Sequence, residues 1–195
     1  MNLVLVVDLE ATCTDLNMDD WDMETIEIAA VVASPHGVAG NRFQSFVRPM
    51  RNPQLTPFCK RLTGISQDEV DGAPSYPAAA EALRRFVEAQ VDPNVAWVSW
   101  GAYDRRQLER DSARHGVENP LAMPHQNAKR LFAKAQKIGK EVGMAKACDL
   151  AGLELFGTHH RALDDALNIA RLLPWAFGLR ALPRRDASRS SLSSS

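Results

Sequence analysis

Two acidic residues directly behind an apolar run constrain this chain more than any other feature. Residues 3–7 read Leu-Val-Leu-Val-Val, and Asp8, Leu9 and Glu10 follow. Such a run is typical of a strand that is buried on both faces of a sheet. Because side chains alternate along a strand, Asp8 and Glu10 project from one face, where they repel each other unless a cation or hydrogen bonds neutralise them. The alternative interpretation is a frayed strand end with two solvated acids.

Length, composition and charge limit the class of protein to which this chain can belong. The chain has 195 residues, of which 45% are hydrophobic and 24% charged, so one globular domain is the default expectation. The formal net charge of -1 means that any contact with a polyanion must come from a local basic patch. The odd, widely spaced Cys13, Cys59 and Cys148 argue against a disulfide framework and favour a reducing cytoplasm. We also find no secretory signal and no apolar stretch of the roughly 20 residues that a membrane span needs.

The coarse pattern predicts an α/β protein. Capping-box residues at Ser66 and Glu69 indicate a helix start. Apolar runs predict strands at 3–10, 25–33, 42–47 and 94–100, the first three as an antiparallel meander. An apolar stripe predicts a helix at 77–91, and 161–177 is predicted as a long amphipathic helix. Helices are also predicted at 103–115, which is heavily charged, and at 126–137 and 143–151. Residues 1–181 would form one domain, and the Ser/Arg-rich tail at 182–195 is expected to be disordered.

A third acid follows the fourth predicted strand. Asp104 comes shortly after Trp100 and Gly101, at the carboxyl end of that strand. Open α/β sheets bind their ligands at this edge. An acid at this position can also simply complement the dipole of the helix that begins there.

The last predicted helix carries a fourth acid on its apolar side. Asp165 shares its stripe with Ile169 and Leu172, whereas Asp164 shares a polar stripe with Asn168 and Arg171. Asp165 is therefore expected to face the core or a cleft, and Asp164 is expected to face water. An inward carboxylate needs a partner.

His160 lies five residues before Asp165, about 500° around a helix, so the two would not share a helical face. We expect His160 on the entry loop, free to approach the acids from another direction. A histidine in this position can be merely structural or solvated, but beside several acids it can exchange a proton near pH 7. Its neighbour His159 is expected to tolerate substitution.

These segments together closely resemble the histidine-bearing branch of the DEDD 3′-5′ exonucleases, and within it the enhanced-RNA-interference exonuclease group. The resemblance spans residues 3 to 174. It rests on four segments read in order, which are Asp-Leu-Glu-Ala-Thr-Cys at 8–13, Leu-Thr-Gly-Ile at 62–65, Tyr-Asp-Arg-Arg-Gln-Leu at 103–108 and His-His-Arg-Ala-Leu-Asp-Asp-Ala-Leu-Asn-Ile-Ala at 159–170.

The resemblance implies a ribonuclease H-like fold, with a mixed five-stranded sheet flanked by helices. It implies two Mg²⁺ or Mn²⁺ ions held by Asp8, Glu10, Asp104 and Asp165, with His160 as general base. Hard ions of this kind take oxygen ligands, which agrees with the residue types. The implied partners are single-stranded RNA or DNA 3′ ends and a nucleoside monophosphate product.

The substrate pocket is expected near the end of the first strand. The resemblance places the 3′-terminal nucleoside beside Ala11, Thr12 and residues 58–65, where Phe58 and Leu62 could stack on a base. Helix core is an equally good interpretation of Phe58 and Leu62, and Trp100 and Tyr103 are expected to be half core and half pocket.

Two sets of basic residues are candidates for contact with nucleic acid. They are Lys129, Arg130, Lys134, Lys137, Lys140 and Lys146, and Arg105, Arg106 and Arg110. A solvated helix face explains the first set as well.

The favoured function is a 3′-5′ exonuclease that acts on RNA or short single strands. A DNA proofreading-type exonuclease and an interaction module that no longer uses its acids remain as alternatives.

Overall fold

Five strands form one mixed sheet in the computed structural model, which describes residues 3–16, 22–92 and 94–183. The strands are β1 (Val4–Ala11), β2 (Thr25–Ser34), β3 (Gly37–Phe46), β4 (Trp97–Ser99) and β5 (His125–Asn127), in the order β3-β2-β1-β4-β5. The first three are antiparallel, and β4 and β5 run parallel to β1. The α/β class, the meander and the mixed five-stranded sheet are therefore confirmed.

Helices cover both faces of this sheet. They are α1 (Pro57–Thr63), α2 (Gln67–Asp71), α3 (Tyr76–Gln90), α4 (Tyr103–His115), α5 (Ala128–Ala135), α6 (Met144–Ala151) and α7 (Ala162–Ala176). The predicted capping box is present, because the Ser66 hydroxyl accepts from the backbone N–H of Glu69 and the Glu69 carboxylate accepts from that of Ser66. None of the helices in the described part of the chain is long and apolar enough to cross a membrane.

Alternation along β1 separates two hydrophobic layers. Val4 and Val6 pack with α5, α6 and α7, whereas Leu5, Val7 and Leu9 pack with α3 and α4. Complete burial of such a side chain stabilises the fold by about 1.5–3 kcal/mol. Asp8 and Glu10 continue the row of Val4 and Val6, so both carboxylates point to the side of the sheet that α7 covers.

Three details differ from the sequence prediction. Residues 125–127 form strand β5, so the helix predicted from 126 begins only at Ala128; a three-residue polar strand has no apolar alternation by which it could be recognised. Strand β4 is limited to Trp97–Ser99, and β3 begins earlier, at Gly37.

The predicted disordered tail lies outside the described residues from position 184 onward. The three cysteines are free, as predicted.

Candidate active site

A solvent-open cavity of about 400 Å³ lies at the carboxyl end of β1. Its wall contains all five predicted catalytic residues, which are Asp8, Glu10, Asp104, His160 and Asp165. The four elements that supply them are β1, the start of α4, the loop before α7, and the first turn of α7. Residues more than 150 positions apart in the chain thus meet in one place.

Three of the carboxylates converge closely. Oxygen atoms of Asp8, Glu10 and Asp165 all lie within 4.8 Å of one another. Asp104 is 5% exposed, and its Oδ1 accepts a hydrogen bond from the backbone N–H of Leu9 at 3.2 Å. Asp104 is therefore fixed against the strand that carries Asp8 and Glu10.

Burial and mutual repulsion make the ionised forms of these acids unfavourable. Burial, reinforced by Asp104 and Glu10, raises the pKa of Asp8 well above its ordinary value. Burial and the nearby Asp165 and Glu27 raise the pKa of Glu10 from 4.5 to about 8. Burial also raises the pKa of Asp104 to about 6, although hydrogen bonds to its carboxylate oppose the shift. Such a cluster is complementary to a cation.

His160 has a left-handed backbone conformation with φ 66°, which is rare for a residue with a side chain. Its backbone N–H donates to Asp165 Oδ2 at 3.1 Å, and its Nδ1 lies 4.0 Å from Glu10 Oε1. The expected position on the entry loop is confirmed. Partial burial, with His159 beside it, lowers the pKa of His160 below 6.5, so the imidazole is neutral near pH 7 and can accept a proton.

His159 also belongs to this site, although the sequence interpretation treated it as a bystander. Its Nδ1 lies 2.9 Å from Asp165 Oδ2, and its ring stacks on that of His160 with centroids 4.0 Å apart. Asp165 thus contacts both histidines. Two adjacent histidines before an inward acid were the available signal, but the spacing alone does not reveal which ring turns inward.

The loop that leads into α7 is tied to the helix by polar contacts. Asp164 Oδ2 accepts from the backbone N–H of Thr158 at 2.8 Å, and Asn168 both donates to and accepts from the backbone of Phe156. Asn168 is completely buried, so the expectation of a solvated polar stripe was wrong at this position. The loop folds over the stripe and uses its polar groups as backbone partners.

A fifth carboxylate, Glu27, lies beneath the site and was not singled out from the sequence. It is completely buried on β2, directly opposite Glu10 in the ladder. Its carboxylate accepts from the backbone N–H of Ala162 at 3.1 Å and lies 3.4 Å from Arg161 Nε. The Arg161 guanidinium lies over the Phe46 ring at 5.3 Å. These contacts attach the start of α7, and hence the His160 loop, to the sheet. The sequence feature that could have identified Glu27 is its position as a single acid within an apolar strand.

Four of the six predicted substrate-binding residues line the cavity, namely Ala11, Leu62, Trp100 and Tyr103. Leu62 and Tyr103 are 36% and 38% exposed, so they offer apolar surface to a ligand. Thr12 and Phe58 do not line it. Thr12 is 1% exposed, and its hydroxyl accepts from the backbone N–H of Glu24.

The basic candidates are divided by the structure. Arg105, Arg106 and Arg130 line a groove of about 480 Å³. Ala102 in the same wall precedes Tyr103, which lines the acid-bearing cavity. Arg105 pairs with Glu109 at 2.6 Å, and Arg130 lies 3.5 Å from Glu141. Arg110 instead donates to the side chain of Gln107.

Comparison with known proteins agrees with this geometry. Residues 5–173 match the family model described as Exonuclease, RNase_T. The chain is 27% identical over 176 residues to human 3′-5′ exoribonuclease 1, covering 87% of this chain and 50% of that protein. It is 30% identical over 177 residues to the probable 3′-5′ exonuclease KapD of Bacillus subtilis, covering 88% and 82%. The chain thus spans about half the length of the human relative.

A solved structure supports the same assignment. The nuclease domain of 3′hExo, described as a DEDDh family member bound to rAMP, superposes with a TM-score of 0.80 and 25% identity, covering 95% of this chain and 98% of that one. With its four acids and His160 in one cavity, the chain belongs to the RNase_T exonuclease family, in its DEDDh branch.

Proposed function

We propose that the chain is a divalent-metal-dependent 3′-5′ exonuclease that hydrolyses RNA, or short single-stranded nucleic acid, and releases nucleoside 5′-monophosphates. The observation that carries this proposal is the convergence of Asp8, Glu10 and Asp165 beside His160 in one open cavity. Family membership supports it, as does the similarity to human 3′-5′ exoribonuclease 1.

The donor set fits two Mg²⁺ or Mn²⁺ ions. Three converging carboxylates, with Asp104 beside them, offer hard oxygen ligands. Burial, followed by the neighbouring acids, raises the pKa values of Asp8 and Glu10, so a bound cation would favour their ionised forms. Asp8, Glu10, Asp104 and Asp165 would hold the ions. Bound there, they would stabilise the attacking and leaving oxygens of an in-line displacement at phosphorus.

The residues of the chain supply positioning and proton transfer. The neutral His160 imidazole can take a proton from the attacking water, because it lies on a loop that faces the carboxylates. Leu62 and Tyr103 can hold the terminal base by apolar contact, without reading its sequence. A 3′-phosphate would bring further negative charge toward these acids, so we expect a free 3′-hydroxyl to be preferred.

RNA is the favoured substrate class, because the human relative is an exoribonuclease and the 3′hExo structure contains rAMP. The groove lined by Arg105, Arg106 and Arg130 could contact the phosphates of the strand that leads to the cavity. A DNA proofreading-type activity is the second candidate among enzymes.

We further propose that residues 1–181 form the exonuclease domain and that the protein acts in the cytoplasm.

End-labelled linear and circular RNA and DNA, incubated with Mg²⁺ or Mn²⁺, test the proposal. We expect stepwise shortening of the linear RNA from the 3′ end, with 5′-monophosphate products and no activity in chelator. Asp165→Asn should abolish cleavage, whereas the matched control Asp164→Asn keeps an oxygen acceptor for Thr158 and should remain active. Equal degradation of the circle would indicate an endonuclease, and a folded wild type without any turnover would favour a binding module.

A further inference from the structure

His159, His160 and Asp165 present a second set of metal-ligating atoms, distinct in chemistry from the acid cluster. One ligand atom from each lies within 4.8 Å of the other two. The His159 Nδ1 to Asp165 Oδ2 distance is 2.9 Å, and the two rings stack with 24° between their planes. Ligands on a tetrahedral zinc ion lie about 3.3 Å apart, so small side-chain rotations would bring the three onto one ion.

The composition of this set selects a different class of ion from Mg²⁺. Two imidazoles and one carboxylate suit zinc and other borderline transition ions, whereas magnesium prefers oxygen ligands. Both imidazole side chains are 39% exposed, so an ion can reach them from solvent, and the Asp165 side chain at 7% provides a rigid anchor. A fourth position would remain for water, as in other three-ligand zinc sites.

We propose that His159, His160 and Asp165 form an inhibitory site for zinc or a similar transition ion, which overlaps the acid cluster at Asp165. The inhibitory effect rests on the proposed exonuclease function, but the binding does not. A zinc ion at this site would occupy the imidazole of His160 that accepts the proton. It would also engage Asp165, which the Mg²⁺ or Mn²⁺ ions need.

Calorimetric zinc titrations in excess Mg²⁺ test the site directly. The informative variant is His159→Asn, because asparagine can still donate to Asp165 but is a poor zinc ligand. Loss of a ligand should weaken zinc binding at least about tenfold, because losing even an outer-shell partner of a metal ligand costs about 10–100-fold in affinity. His160→Asn should give the same loss and serves as a second variant should His159→Asn fold poorly. The control His36→Asn, in the exposed β2–β3 turn, should bind zinc like wild type.

An Asp8→Asn variant separates this site from the acid cluster. In excess Mg²⁺ it should bind zinc at least as tightly as wild type, since Asp8 is not among the three zinc ligands and its loss weakens the competing Mg²⁺. Zinc binding that is lost in Asp8→Asn but retained in His159→Asn and His160→Asn would overturn the proposal.

Activity assays add the functional consequence. With each zinc-free rate as reference, zinc should inhibit wild type and His36→Asn at least about tenfold more potently than His159→Asn. Equal inhibition of wild type and His159→Asn would also overturn the proposal. An enzyme with no activity in Mg²⁺ or Mn²⁺, whose zinc affinity still depends on His159, would instead refute the exonuclease function and leave the zinc site standing.

Discussion

Replacing Glu10 by glutamine measures how much the metal-free site destabilises the fold. Burial and nearby acids raise the pKa of Glu10 from 4.5 to about 8. A carboxyl group with a higher pKa in the folded state destabilises the fold as pH rises, because the unfolded chain releases its proton first. The stabilising effect of the proton is complete below pH 4.5 and is lost as the pH rises to about 8. At about 1.4 kcal/mol per pH unit, the loss reaches about 3 kcal/mol at neutral pH.

Glu10→Gln cannot undergo this loss. A buried amide with incomplete hydrogen bonding costs about 1 kcal/mol, so the variant should be about 2 kcal/mol more stable than wild type near neutral pH in chelator. The difference should grow toward about pH 8 and reverse below about pH 5. Saturating Mg²⁺ should stabilise wild type more than the variant, because the ion binds the ionised carboxylate of the folded state.

Urea unfolding across this pH range, with chelator or Mg²⁺, provides the measurement. Glu154→Gln removes an exposed carboxylate on the loop after α6 and should leave stability within about 0.5 kcal/mol of wild type. If Glu10→Gln and wild type have the same stability at every pH in chelator, the electrostatic account of the site is wrong. Equal stabilisation of both proteins by Mg²⁺ would show that Glu10 is not an ion ligand.

Three further predictions concern the proton acceptor His160, the surface that is expected to contact the terminal nucleobase, and the loop before α7. His160→Ala should reduce turnover by about 10²–10⁴-fold while Mg²⁺ affinity in calorimetry stays unchanged, and lost affinity would make it a ligand of those ions instead. Leu62→Ala should weaken binding of single-stranded RNA by roughly 1–3 kcal/mol, and Phe58→Ala should weaken it less, since only Leu62 lines the cavity. Gly157→Ala should lower turnover and thermal stability, because glycine has φ 65° there and a Cβ would overlap the Asp164 carboxylate. Wild-type behaviour would show that close packing of Gly157 on Asp164 does not hold the loop.

Alternation and helical periodicity were sufficient to predict the main groups of the site. The period of two in β1 placed Asp8 and Glu10 on one face, and the helical period placed Asp165, rather than Asp164, toward the interior. Both inferences depend only on backbone geometry and on the cost of exposing apolar neighbours, and such local rules can be read from a single sequence.

Contacts that join distant segments could not be predicted in this way. The buried Asn168 has polar neighbours on its stripe, and only the fold of residues 152–160 over the helix explains its burial. Likewise, Glu27 becomes a partner of Arg161 because β2 pairs beside β1 and α7 crosses the sheet. Strand β5 is polar and three residues long, and pairing with β4 alone gives it strand conformation.

Asp165 joins the proposed ion site to the loop that carries His160, the proposed base, and this affects how variants of the site must be interpreted. Its carboxylate accepts from the backbone of His160, whose left-handed conformation costs roughly 1–2 kcal/mol, and it contacts His159 Nδ1. Removing the Asp165 side chain therefore removes a proposed ion ligand and a contact that holds the His160 loop. Asp8 lies on β1, and its proposed role is ion binding alone. A larger loss of residual turnover in Asp165→Ala, which removes the acceptor for the His160 N–H, than in Asp8→Ala, at equal loss of Mg²⁺ affinity, would measure the contribution of the loop contact to catalysis.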